Sequence, residues 1–274
     1  VNAVDAAGVH PLLSAVGSER YTPYSKPGRP QELLTQASAI LGQGQLSLAK
    51  YLWIINGMDD GAPRADALEA FFAHALARVD WKRDLHFHTC TTMDTLDYSG
   101  EGLNQGSKLV IAAAGQAVRS LATAIPDRLN LPAEWTAPQV ALPGVLAIQG
   151  PAHRGSTSQQ QWKEQCDRVP EITLVDQFPL IVLCDDSQFT ARSIQNLLWI
   201  TFTRSNPAAD VYGISAFTHD KHFGCRGSLV IDARSKPQHA PGLCEDPVIT
   251  SKVDARAARG GGAPRGRRRR PDGG

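Results

Sequence analysis

Apolar positions alternate between two periods along the chain. "RPQELLTQASAILGQGQ" puts Leu33, Leu34, Ala37, Ile40 and Leu41 at helical spacing, with Pro30 at the start and Gly42 at the end, the punctuation of a helix. "LAKYLWIINGMDDG" then holds a continuous apolar run, Leu52 to Ile55, followed by Asp59 and Asp60. A short unbroken run of this kind marks a strand buried on both faces. Leu68, Phe71, Phe72, Ala75, Leu76 and Val79 return to helical spacing, and "LHFHT" reads as another strand. The pattern occurs twice. Residues 180–186, "LIVLCDD", repeat the apolar strand closing on two acids, and a helix follows with Ile194, Leu197, Leu198 and Phe202 on one face. "SNPAADVYGI" then stands where "VDWKRDLHFH" stood, with Asp84 and Asp210 at corresponding points. Two βαβ-like units predict an α/β chain with mostly parallel or mixed sheets, because a strand–helix–strand crossover is how parallel neighbours are joined. True duplication and coincident patterning both account for the likeness.

Between these units "KLVIAAAG" and "GVLAIQGP" read as strands, residues 117–125 as a helix, and the stretch after them as a Pro-rich loop. "RGSLVIDAR" is the last clear strand. Residues 1–30 are rich in Gly, Pro and small side chains and read as an irregular lead-in. The expected organisation is therefore that lead-in, one α/β unit over 31–116, a second over 117–252, and a disordered tail over 253–274. The tail is almost only Ala, Arg, Gly, Pro and Asp, too poor in apolar side chains to fold.

Composition sharpens this picture little. The 274 residues are 42% hydrophobic and 20% charged, ordinary for a globular protein. No apolar run reaches the length of a bilayer span. The chain starts at Val1 without an initiator Met or a secretory leader, which reads as the interior of a longer protein or a processed one. The five cysteines are widely spaced and form no CxxC pair, which fits a reducing cytoplasm. The net charge of +1 conceals a basic tail: from Ala255 onward there are seven Arg and one Asp, which leaves −5 on the preceding 254 residues. "RGRRRR" has the charge for phosphates but no aromatic interleaving, and no nucleic-acid partner is expected.

Several groups have the chemistry of a site. The loop Thr91–Lys108 offers Asp94, Asp97, Tyr98, Asn104 and Lys108. Its "GLNQGSK" lacks the spacing of a phosphate loop, and a strand connection built on Asp and Gly turns is the simpler reading. His86, His88 and Cys90 alternate along a strand and share one face. They could hold zinc, although polar side chains at an interface explain them more simply. His219, His222 and Cys225 form a second such group. Asp59/Asp60 and Asp185/Asp186 lie at strand C-termini, where open α/β sheets bind ligands. They could take a metal or act as acid and base, while capping of the following helices is the expected role. No Ser-His-Asp, Cys-His or Rossmann signature is present.

Four stretches, "VNAVDAAGVHPLLSAVGSERYTPY", "QELLTQASAILGQGQLSLAKYLWI", "TTMDTLDYSGEGLNQGSKLVIA" and "LVIDARSKPQHAPGLCEDPVITSKVDA", together resemble the C-terminal part of the UbiD family of decarboxylases. The likeness is to its long members, described as menaquinone-biosynthesis or polyprenyl-hydroxybenzoate decarboxylases. The resemblance implies a lyase that binds prenylated FMN with Mn2+ and K+ and removes CO2 from, or adds it to, aromatic or α,β-unsaturated acids, with the modified flavin as electron sink. It also implies that flavin, metal and a Glu–Arg–Glu proton network belong to a domain preceding the matched region. No catalytic, metal or flavin contact is therefore placed on this chain, and none of these cofactors is expected to bind it alone. The region matched implies a part that packs subunits together and closes over the pocket, with Asp94, Asp97 and Tyr98 as pocket-facing members. Partners are then a second copy or the catalytic domain. The alternatives are a non-catalytic interaction module and a small nucleotide- or metal-binding α/β protein.

Overall fold

The computed structural model describes residues 1–6, 9–20, 28–100, 102–127, 129, 131–169, 177–240 and 246–258. Two five-stranded mixed sheets organise it. The first contains β1 (Asn2–Ala6) and β2 (Val9–Gly17), then α1 (Glu32–Leu41), β3 (Tyr51–Asn56), α2 (Leu68–Arg78), β4 (Leu85–Thr92) and β5 (Gln105–Ala113). The second contains β6 (Thr136–Leu142) and β7 (Val145–Gln149), then α3 (Ser156–Arg168), β8 (Leu180–Cys184), α4 (Ser187–Ala191), α5 (Ile194–Thr203), α6 (Pro207–Asp210) and β9 (Val211–Gly213). A small hairpin, β10 (Ala216–His219) and β11 (His222–Cys225), precedes its last strand, β12 (Leu229–Asp232).

The two sheets share one plan. Their orders are β1-β2-β3-β5-β4 and β6-β7-β8-β12-β9. In each, the first pair is antiparallel, the next two pairings are parallel and the last is antiparallel. Among the parallel neighbours, β2–β3 and β7–β8 are consecutive strands joined by single-helix crossovers, β2–α1–β3 and β7–α3–β8. The segments that suggested crossovers in the sequence, β3 to β4 and β8 to β9, each end on an antiparallel edge strand instead. Asp84 and Asp210 do correspond. Each precedes its edge strand, and each accepts from the backbone N–H four residues earlier, Asp80 N at 2.8 Å and Asn206 N at 2.6 Å.

Side chains along the central strands alternate between two burial environments, as the pleat requires. Tyr51, Trp53, Ile55, Leu109 and Ile111 of the first sheet share a core with Val145, Ala147, Leu180, Val182, Leu229 and Ile231 of the second, and with Phe71, Phe72, Leu198 and Phe202 from α2 and α5. The opposite faces pack separately, Leu13, Leu52, Ile54 and Val110 against Leu33 and Ala37 of α1, and Leu146, Ile148, Ile181 and Val230 against Trp162 and Cys166 of α3. Two helix-covered sheets thus meet over one shared core, and residues 31–116 and 117–239 fall within a single compact unit, Val1–His239, while residues 240–252 fall in another.

Several expected elements differ. Residues 2–6 and 9–17 are strands rather than an irregular lead-in. The run "PLLSAV" supplies Leu12, Leu13 and Ala15, all buried, and β2 lies inside the sheet. Residues 117–125 form no helix. Arg119 donates instead to the carbonyls of Leu76 and Val79, both at 2.7 Å, which ties this extended segment to the end of α2. A last helix, α7 (Pro247–Ala258), takes up the start of the expected disordered tail. It belongs to a second unit, Ala240–Gly274, and exposes Val248, Ile249 and Val253. The Arg-rich run 265–270 lies outside the described residues.

Candidate functional site: the anchored β4–β5 loop

The loop that connects β4 and β5 is held from inside. Met93 is fully buried at its base. A Cβ on Gly100 or on Gly106 would collide with the Met93 sulfur, so both positions need glycine for close packing rather than for a ligand. Asn104 sits at φ 59°, a left-handed conformation that Asn tolerates. Its side-chain amide donates to Thr95 Oγ1 at 2.9 Å and to the Met93 carbonyl at 3.3 Å, closing the loop on itself.

The three loop residues singled out in the sequence have separate environments. Asp94 accepts from Leu96 N at 2.8 Å in an exposed turn. Tyr98 is 60% exposed. Asp97 is buried: its Oδ2 lies 2.8 Å from Lys50 Nζ, with side chains 4% and 0% exposed. Lys50 also donates to Ser99 Oγ at 2.6 Å and to the Ser205 carbonyl at 2.9 Å. Ser99 Oγ in turn donates to Asp97 Oδ1 at 2.6 Å. Burial lowers the Lys50 pKa, and the Asp97 carboxylate opposes that fall.

Lys50 therefore pins the loop to the second half of the molecule. Beside it, the Tyr51 hydroxyl meets Ser205 Oγ at 2.7 Å. Ser205 Oγ donates its proton to the Thr201 carbonyl at 2.6 Å, so Tyr51 is the donor to Ser205. Ser107 donates to Asn206 Oδ1 and accepts from Ala208 N at 2.7 Å. Lys108 donates to the Ala49 carbonyl at 2.9 Å, and burial lowers its pKa to about 8.

Next to this anchor is a cavity of about 720 Å3 lined by Thr89–Thr92 of β4, Asn104–Ser107 and, from the other half, Asn206, Ala208 and Ala209. Seven of its eleven lining residues carry a hydroxyl or amide side chain, and among the described residues no charged side chain lines it. Cys90 sits there at φ 52°, where the β4–β5 register shifts between His88 and Thr91. The cavity lies at the N-terminal end of β5, opposite the strand C-termini where α/β sheets usually take ligands.

Three of the four acids at those C-termini, Asp59, Asp185 and Asp186, have engaged carboxylates. Asp59 accepts from Gly115 N at 2.9 Å and from the Asn56 amide at 2.7 Å, so it joins two strand ends instead of capping α2, whose N-cap residue is Ala67. Asp185 accepts from Arg204 and from Ser235 N, both at 2.9 Å. Only Asp186 caps as expected, accepting from Phe189 N at 2.9 Å at the start of α4.

A second buried network went unseen in the sequence. Arg234 pairs bidentately with Asp232, at 2.9 and 2.7 Å, donates to the Pro151 carbonyl at 2.6 Å and lies over the Trp162 ring at 4.4 Å. Lys236 Nζ is 3.4 Å from Asp210 and donates to the Asp232 and Arg204 carbonyls. Burial raises the Asp210 pKa to about 6 against the pull of Lys236. The only sequence signal was position: Lys50, Lys108 and the Asp232–Arg234 pair each flank an apolar strand run.

The two His/Cys groups meet at an interface. His86 of β4 and His222 of β11 have ring centroids 5.6 Å apart, beside a T-shaped Phe87–Phe223 contact at 5.5 Å. His88, Cys90 and His219 are exposed, whereas Cys225 is buried. Among the described residues no three His, Cys, Asp or Glu converge as a metal site.

Two stacked halves of one plan, with a pinned hairpin loop between them, define an α/β assembly. Residues 1–113 match the family model described as the 3-octaprenyl-4-hydroxybenzoate carboxy-lyase C-terminal domain, a likeness to the C-terminal part of the UbiD family. It is 34% identical over 256 residues to a Chlamydia pneumoniae protein named as one of the subunits of 4-hydroxybenzoate decarboxylase, an alignment that covers 91% of this chain and 39% of that protein. An uncharacterized protein of Chlamydia trachomatis serovar D is 34% identical over 254 residues, with the same coverage. The chain spans about two-fifths of the length of these relatives. A solved structure, the open form of Sedimentibacter hydroxybenzoicus vanillic acid decarboxylase, overlaps with TM-score 0.29 and 17% identity across 43% of this chain and 23% of that one. That overlap is too slight to bear on the fold.

The donors at the strand ends do not fit the manganese ion that the family resemblance implies. Such an ion takes several hard oxygen ligands, and Asp59, Asp185 and Asp186 are already engaged by backbone N–H groups, an amide and an arginine. Among the described residues no helix is long and apolar enough to cross a membrane.

Proposed function

We propose that this chain is the C-terminal portion of a prenylated-FMN-dependent carboxy-lyase acting on aromatic or α,β-unsaturated acids in cytoplasmic quinone biosynthesis. The observation that carries this reading is the match of residues 1–113, together with the extended similarity to a protein named as part of a decarboxylase. In this reading the flavin, Mn2+ and K+ bind outside the chain, and the chain alone is inactive. Its own contribution is positional. The Lys50–Asp97 pair and the Ser107–Asn206 contact hold the β4–β5 loop rigid, with Tyr98 outward, against the catalytic region or a second copy.

The test is to purify the reading frame that contains this chain, together with any upstream region, from cells that supply prenylated FMN. The cofactor is then sought by absorbance and mass spectrometry. Stoichiometric modified flavin supports the reading. A folded, flavin-free oligomer favours the non-catalytic interaction module instead.

A further inference from the structure

The two halves meet at two related junctions. In each, the connection between an edge strand and its neighbour reaches the turn that precedes the other sheet's edge strand. The β9–β12 connection, which carries the β10–β11 hairpin, closes on residues 80–84. Cys225 N donates to the Trp81 carbonyl at 3.2 Å, and a Cβ on Gly224 would press on the Lys82 backbone. The β4–β5 connection reaches residues 206–210, where Ser107 Oγ accepts from Ala208 N at 2.7 Å. Beside that contact this second junction stays open, as the cavity of about 720 Å3 between β4 and α6. Its volume falls within the range of roughly 300–1,000 Å3 usual for small-ligand sites.

The walls restrict what could enter. Asn206 is 5% exposed. Its side-chain oxygen accepts from Ser107, and its amide NH2 lines the cavity without a partner among the described residues. A buried donor in that condition calls for an acceptor. Thr89, Thr91 and Thr92 of β4 add hydroxyls that no described residue engages. Lys108, which follows the lining segment, points its ammonium at the Ala49 carbonyl instead. A phosphate or carboxylate would therefore enter without a counter-charge, and among the described residues no aromatic ring lines the cavity for a flat ligand to stack on. We propose that this cavity binds an uncharged polyhydroxy compound of about disaccharide size. Hydroxyl groups both donate and accept, which suits a wall where one amide donor faces three hydroxyls. The site is distinct from the carboxy-lyase chemistry proposed above, whose acid substrates need a counter-charge that these walls lack.

Cys90 reports on occupancy. It lines the same cavity and is exposed, whereas Cys166, Cys184 and Cys225 are buried. The test is alkylation of Cys90 by iodoacetamide in the full chain, read by mass spectrometry of the peptide that carries it, with maltose, trehalose and sucrose as probes. At least one of the three should slow the reaction saturably, about fivefold at a concentration about four times Kd. Glucose 6-phosphate and benzoate should leave the rate unchanged. T89V and T92V remove exposed hydroxyls while keeping the side-chain shape, and N206D removes the amide donor while keeping an acceptor for Ser107. Each should raise Kd roughly three- to tenfold, the worth of one hydrogen bond. The threonine variants lie at exposed positions and are informative whether or not N206D folds. No protection by any of the three sugars, equal protection by the charged probes, or a Kd unchanged in the T89V/T92V double variant would each overturn the proposal.

Discussion

Replacing Asp97 by Asn tests the anchor of the loop. Asn keeps the shape and can still accept from Ser99, but it removes the charge opposite Lys50. Lys50 is wholly buried and would retain only the Ser99 hydroxyl and the Ser205 carbonyl, both neutral. Breaking a buried ion pair by removing one partner costs about 3–5 kcal/mol, because the surviving charge stays desolvated. For a chain of this size that is a fall in melting temperature on the order of 10 °C. The control is Asp94→Asn in the same loop. Its turn hydrogen bond to Leu96 N survives the change, so the expected cost is within about 0.5 kcal/mol. Urea unfolding of both variants supplies the comparison, and hydrogen exchange over residues 93–104 shows whether the loop loosens. A K50M/D97L double variant should be more stable than D97N, since a buried pair replaced by apolar groups loses both charges together. If D97N unfolds within about 1 kcal/mol of D94N, Lys50 is not desolvated as the structure places it, and the loop is not pinned by charge.

Other expectations follow from the same contacts. Gly106→Ala places a methyl group against the Met93 sulfur, and overpacking of this kind costs about 1–3 kcal/mol, measurable by urea unfolding. Asp232→Asn leaves the buried Arg234 without its bidentate partner, and a loss of about 3–5 kcal/mol is expected in the same assay. His74 is buried, without a partner for Nε2, and next to Arg78; its pKa is lowered to about 4, first by burial. A base with a depressed folded pKa contributes stability that is complete above its unfolded value near 6.5 and is lost as the pH falls toward 4. Wild type should therefore lose stability relative to His74→Gln over that window, by about 1–2 kcal/mol after discounting partial solvation. A difference that is flat with pH would show that His74 charges freely in the folded state.

The central strands were legible because their sequence cause is local. Leu52 to Ile55 and "LIVLC" are unbroken apolar runs, and a strand buried on both faces needs nothing else. The first two strands were not, since Gly8, Pro11 and Gly17 resemble loop punctuation, and what makes β2 a central strand is its pairing with β3 forty residues away. Direction was equally hidden. "LHFHT" looks the same whether it pairs with β3 or runs antiparallel on β5, and only the short β4–β5 hairpin decides. The correspondence of Asp84 with Asp210 was visible in spacing alone, and it marked a real structural equivalence. The loop was recognised by resemblance, but its roles were not separable from the string. Asp94 and Asp97 are three residues apart, yet one caps a turn in solvent and the other meets a lysine from a strand start more than forty residues earlier. Charges that flank apolar runs are usually solvated ends, and nothing local told Lys50, Lys108 or Arg234 apart from those.

The proposed role of this chain is to complete a carboxy-lyase. The most direct measurement is exchange of 13C-bicarbonate into the carboxyl groups of 4-hydroxybenzoate and a panel of aromatic and α,β-unsaturated acids, catalysed by the complete protein containing this chain and loaded with prenylated FMN and Mn2+. Exchange is expected into at least one of these acids, and it should be abolished when the modified flavin is withheld. A folded, cofactor-loaded protein that exchanges label into none of them would contradict that role.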